Sequence, residues 1–139
     1  MTERNSTGSR LLHLPLLVAL AITGCAPGDD GQTAAVEPSE LLTIAVPAEF
    51  RSGEALFEQH CASCHGEKAL GTAVGPPLVH IVYEPSHHAD YAFYMAVGQG
   101  VRAHHWRFGD MPAIPGIEQD EVTQIIAYER WLQRQVGIH

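Results

Sequence analysis

His60-Cys61-Ala62-Ser63-Cys64-His65-Gly66 sets two cysteines three positions apart, with a histidine directly after the second. Three chemistries use cysteines so closely spaced. A structural zinc site takes four ligands, commonly from two such pairs, and the only other cysteine is Cys25. A thioredoxin-like dithiol sits at a helix start behind a strand, and no strand-rich stretch precedes Cys61. The third option fits, because Cys-x-x-Cys-His is the attachment sequence of c-type haem. Its basis is reach. Cysteines at i and i+3 on one helical turn share a side of the backbone, so Cys61 and Cys64 can form thioethers along one edge of a single haem c. His65 is then carried under the iron as an axial ligand.

The opposite axial position needs a second donor. Met111, in Phe108-Gly109-Asp110-Met111-Pro112-Ala113, offers a soft, neutral thioether that favours ferrous iron and raises the reduction potential relative to a second imidazole. Pro112 and Pro115 stiffen the chain beyond it. The competing methionine, Met95, lies in the apolar stretch Tyr91-Ala92-Phe93-Tyr94-Met95-Ala96-Val97, where methionine serves as core filler. Histidines 80, 87, 88, 104 and 105 are further rivals.

Toward the N-terminus, Arg4 and Arg10 precede an apolar run over residues 11–23, which ends in Ile22-Thr23-Gly24-Cys25. That order is a secretory signal, and the run falls short of the roughly 20 residues that cross a bilayer as a helix. Its end resembles a bacterial lipobox, which implies removal of residues 1–24 and lipidation of Cys25; an ordinary signal cleaved elsewhere is the alternative. Lipidation also disposes of the odd thiol in an oxidising compartment. Residues 25–47, rich in Gly, Pro and acidic side chains, read as a flexible tether, with packing of Leu41, Leu42 and Ile44 against the domain as the alternative. Residues 48–139 are then one small domain.

The 139-residue chain carries a net charge of −8. Loss of residues 1–24 leaves 6 Lys and Arg against 15 Asp and Glu, or −9. Nucleic acid and anionic lipid surfaces are therefore poor partners, and a protein with a basic docking patch suits the domain better, with solubility alone as the alternative.

From residue 53 to residue 133 the chain resembles the monohaem class I cytochromes c. Gly53-Glu54-Ala55-Leu56-Phe57-Glu58-Gln59-His60-Cys61 is similar to the family's N-terminal helix running into the haem site. In that family a glycine at this point lets the N- and C-terminal helices cross closely, with Phe57 packing into the crossing. Ile125-Ile126-Ala127-Tyr128 is similar to the partner block, within a segment from 118 to 135 whose Val122, Ile125, Ile126 and Leu132 follow amphipathic helical spacing. Asp120 and Glu121 at its start and Arg130 and Arg134 near its end suit the helix dipole, and Gly137 is a stop.

The resemblance implies an all-α fold around one covalent haem. It further implies that Gly75-Pro76-Pro77-Leu78 supplies, at Pro76, a carbonyl that accepts a hydrogen bond from His65. Residues 89–98 would form the middle helix, with Tyr91, Tyr94 and Met95 facing haem or core. The run His104-His105-Trp106-Arg107 departs from the family's pattern before the methionine loop. There Trp106 would cover a haem edge and Arg107 would pair with a haem propionate, since a partly buried carboxylate needs a counter-charge, with surface positions for both as the alternative. The expected function is a monomeric one-electron carrier rather than an enzyme, tethered by lipid on the periplasmic side of a bacterial membrane and passing electrons between redox proteins. Two alternatives stand beside it: a haem subunit of a larger redox complex, and a gas- or peroxide-binding protein in which Met111 leaves the iron.

Overall fold

The computed structural model describes residue 1 and residues 35–139. The rest of the expected signal segment, Cys25 and residues 26–34 lie outside the described residues. Among the described residues the fold is helical: α1 (Arg51–His60), α2 (Ala62–His65), α3 (Asp90–Gln99) and α4 (Gln119–Gln135), joined by short 3-10 turns, with a single antiparallel bridge between Val101 and Met111 in place of any sheet. None of these helices is long and apolar enough to cross a membrane.

α4 is the spine. Its first turn is closed by a capping box, in which the Glu118 side chain accepts from the backbone of Glu121 and the Glu121 carboxylate accepts from Glu118 N at 2.9 Å. This arrangement satisfies backbone donors that a helix start leaves free. Val122, Ile125, Ile126, Tyr128, Trp131 and Leu132 are buried along it, and Gly137 stands just past the last turn as expected.

α1 crosses α4 at Gly53. A Cβ there would collide with the carbonyl oxygen of Gln124 and lie 2.9 Å from Tyr128 Cβ, so the two backbones approach as only glycine permits. One turn on, Phe57 is fully buried, with its ring 5.8 Å from that of Tyr128. Phe50 stacks on Trp131 at 5.7 Å. The crossing inferred from the resemblance is therefore present.

The flexible tether expected up to residue 47 is corrected from Val36 onward. Val36 N donates to Gln135 O at 2.8 Å, and Leu41 (0% exposed) and Val46 (6%) belong to the same core as Phe57 and Leu132. Full burial of a leucine is worth about 1.5–3 kcal/mol, which outweighs the polar composition around it. Of the three apolar candidates for packing, Leu41 is buried, Ile44 half-buried and Leu42 exposed.

α3 occupies the stretch expected for a middle helix, shifted by one residue. It packs on α4 through Tyr94, whose hydroxyl meets Thr123 Oγ1 at 2.8 Å. Tyr91 is 70% exposed and faces solvent, contrary to the expectation that it lines haem or core.

Arg130 ties α4 to the segment before α3. Its guanidinium donates to Asp90 Oδ1 and Tyr83 O at 2.8 Å, to Gln133 Oε1 at 2.7 Å and to the carbonyl of His88, and it lies 4.9 Å from the Phe93 ring centroid. A buried arginine is tolerable only when its donors are met in this way.

Candidate functional site

α1 ends at His60 and the chain re-enters helix at once. Cys61 N donates to Phe57 O at 2.8 Å, Cys64 N to Cys61 O at 3.1 Å and His65 N to Cys61 O at 2.9 Å. The two cysteines and the histidine therefore share one helical turn, as the spacing required. His65 is buried (8% exposed), and its Nδ1 lies 2.9 Å from the carbonyl oxygen of Pro76. Nδ1–H is the donor in that pair, which leaves Nε2 as the free lone pair. Burial lowers the His65 pKa against the opposing pull of the Pro76 carbonyl, so the ring is neutral.

His65, Cys61 and Pro76 border a cavity of about 640 Å³ between α1, α3, α4 and residues 100–111, a size common for ligand sites of roughly 300–1,000 Å³. Phe57, Leu78, Phe93, Val97, Val101 and Ile125 supply much of its wall. Cys64 is exposed and lies outside that wall.

Met111 also borders the cavity, and the loop that carries it is tied down at several points. Val101 N donates to Met111 O and Met111 N to Val101 O, both at 2.9 Å, and Ala103 N donates to Asp110 Oδ1 at 2.8 Å. Gly100, at φ +75°, turns the chain out of α3, where a Cβ would press on the Met111 carbonyl at 2.5 Å. Met95 is half-buried and reaches the same cavity rather than filling the core, and its sulfur accepts from Gln99 Nε2 at 3.8 Å.

Trp106 lies in the wall, its Nε1 donating to Tyr83 Oη at 3.1 Å and its ring 4.9 Å from that of His80. Arg107 is exposed and outside the wall, whereas Arg102 borders the cavity. Among the histidines considered as rivals, 88, 104 and 105 reach the cavity; His80 Nδ1 accepts from Val82 N at 3.1 Å.

Two groups escaped the sequence reading. Tyr83 lies in a 3-10 turn with no motif of its own. Glu129 is fully buried in the cavity wall with neither carboxylate oxygen bonded. Burial pushes its pKa up to about 8, although Arg130 pulls the other way, so the carboxyl is protonated at neutral pH. The sequence signal was present: Glu129 continues the buried Val122, Ile125, Ile126 stripe.

Burial, followed by Glu129 and Cys64, pushes the Cys61 thiol up to about 12. A reactive dithiol needs the opposite shift. A protonated Glu129, a neutral His65 and an apolar wall together fit a porphyrin.

These features define a c-type haem protein, and the comparisons agree. The cytochrome c family profile matches residues 50–133, and the chain belongs to that family, with covalently bound haem c as its cofactor. The fold is similar to that of the c-type cytochrome XoxG from Methylobacterium extorquens AM1, with a TM-score of 0.51 at 19% identity over 66% of this chain. The match spans 55% of that structure's length. No curated protein sequence matches the chain.

Proposed function

We propose that this domain is a one-electron carrier on the periplasmic side of a bacterial membrane. In this proposal Cys61 and Cys64 hold one haem c by thioethers, His65 and Met111 are the axial ligands, and lipidated Cys25 is the tether. The observation that carries it is the Pro76-oriented His65 sharing one apolar cavity with Met111 on its pinned loop.

Haem c, when bound, supplies a one-electron ferric–ferrous couple. His65 presents Nε2, and the Pro76 carbonyl fixes the ring plane and strengthens the donor. Met111 adds a soft thioether, and the apolar wall keeps water out; both favour the less charged reduced state. Trp106, held by Tyr83, closes part of the wall. Were His65 and Met111 both to hold the iron, no position would be left for substrate, and that would separate a carrier from an enzyme or gas sensor. The acidic excess suits a redox partner with a basic docking patch, and a lipid tether raises the local concentration near membrane-bound partners.

Carbon monoxide tests the proposal. Addition of the gas to the ferrous protein leaves the spectrum unchanged if Met111 holds its place; a shifted band favours the labile-ligand alternative. For the anchor, Cys25→Ser releases the protein into the soluble fraction or blocks its processing, and unchanged membrane retention counts against lipidation.

A further inference from the structure

Four histidines gather where the turn before α3 meets the loop before Trp106. The ring centroids of His87 and His88 are 4.7 Å apart, His105 lies 5.2 Å from each of them, and His104 is 4.1 Å from His105. One ring nitrogen from each of His87, His88 and His105 falls within 4.8 Å of the other two. Tetrahedral coordination with bonds of about 2.05 Å places nitrogens roughly 3.3 Å apart, a contraction that side-chain rotation of the exposed His87 and His105 supplies.

His88 is the prepared member of the group. Its Nδ1 lies 2.7 Å from the carbonyl oxygen of Val82, so Nδ1–H donates and Nε2 is left bare. Metal-bound histidines characteristically use this outer hydrogen bond to set tautomer and orientation. The backbone of His88 is fixed as well, since its carbonyl accepts from buried Arg130. One ligand is thus rigid and two are adjustable.

We propose that His87, His88 and His105 bind a single borderline divalent cation, Zn²⁺ or Cu²⁺, at a site separate from the haem attachment. Three imidazoles with no carboxylate among them select such ions over Ca²⁺ or Mg²⁺, which require oxygen donors. A fourth position falls to water or to His104, whose Nδ1 is engaged with Arg102 O at 2.8 Å and whose Nε2 is free. Because His88 and His105 also border the cavity, the bound charge sits beside the redox centre.

The test is equilibrium dialysis of chelator-treated, haem-bearing protein against zinc chloride and, separately, copper(II) chloride, with absorption spectra recorded alongside. One equivalent binds with the low-spin haem spectrum unaltered. His87→Ala and the pair His104→Ala/His105→Ala each weaken retention at least tenfold, whereas His139→Ala does not. No saturable binding, binding that survives both variants, or a change of haem ligation in either variant would overturn the proposal, the last by assigning these imidazoles to the haem iron. Equal thermal midpoints of the variants and the parent protein establish that lost binding is not lost folding.

Discussion

Gly53 on α1 meets the carbonyl of Gln124 on α4 so closely that no side chain fits between them. The contact sets the approach of the two helices that carry Phe57 and Ile125, and α1 leads directly into the turn at residues 61–65, so it governs the shape of the cavity as well as the stability of the core.

Gly53→Ala is expected to destabilise the domain by about 1–3 kcal/mol, the usual cost of overpacking a well-filled contact. Gly98 is the control, since a Cβ there meets nothing within 4 Å, and Gly98→Ala is neutral or stabilising by up to about 1 kcal/mol. Urea midpoints of the two variants check this, and equal midpoints would show that the crossing tolerates a methyl group.

Arg130→Ala removes the donors that satisfy the carbonyls of Tyr83 and His88 and the carboxylate of Asp90. The expected cost is about 1–3 kcal/mol, the range for leaving a buried acceptor such as the His88 carbonyl unpaired, because the Asp90 side chain is 61% exposed and stays hydrated. Arg130→Lys recovers only part of it, because an ammonium cannot reproduce the planar fork. Thermal unfolding measures both, and a loss below about 1 kcal/mol would place Arg130 among surface residues in energetic terms.

Glu129 makes stability depend on pH. The folded protein keeps the proton up to about 8, whereas an ordinary glutamate releases it near 4.5. Between those values unfolding releases a proton, so this contribution is whole below pH 4.5, shrinks as pH rises and is gone above about 8. The slope is at most about 1.4 kcal/mol per pH unit. Glu129→Gln flattens the fall in urea midpoint between pH 5 and 8, and an unchanged profile would mean that the carboxyl is not protonated in the folded state.

Met111→Ala is expected to convert the haem to a high-spin or water- or histidine-ligated form with a lower reduction potential. Met95→Ala leaves low-spin ligation in place and mainly costs stability. Absorption spectra and redox titration decide between the two sulfurs, and the reverse pattern would move the axial ligand to α3.

Much of the site was legible because its constraints are local or periodic. Cys-x-x-Cys-His fixes its own geometry within one turn and the Val122, Ile125, Ile126 spacing marks α4. The proline pair alone marks only a turn, and the family resemblance is what implies a Pro76 carbonyl at His65, where the two groups lie 2.9 Å apart. What was not legible depends on distant backbone. Leu41 is buried in the core that also holds Phe57 and Leu132, which composition cannot reveal. Tyr91 lies on an apolar helix with no periodic marker of its outer face. Arg130 finds the Asp90 carboxylate and the carbonyls of Tyr83 and His88 40 or more residues away, and carbonyls carry no sequence signature. Arg102 rather than Arg107 reaches the cavity because the bridge from Val101 to Met111 sets the direction of that loop.

Covalent attachment at Cys61 and Cys64 is tested most directly by denaturing the matured protein in acid, extracting with organic solvent and following the porphyrin absorbance. The pigment stays with the polypeptide, and in the Cys61→Ala/Cys64→Ala variant it passes into the solvent or is never acquired. Pigment extracted from the wild-type chain, or a wild-type chain that matures without colour, would contradict the assignment of a c-type haem to this turn.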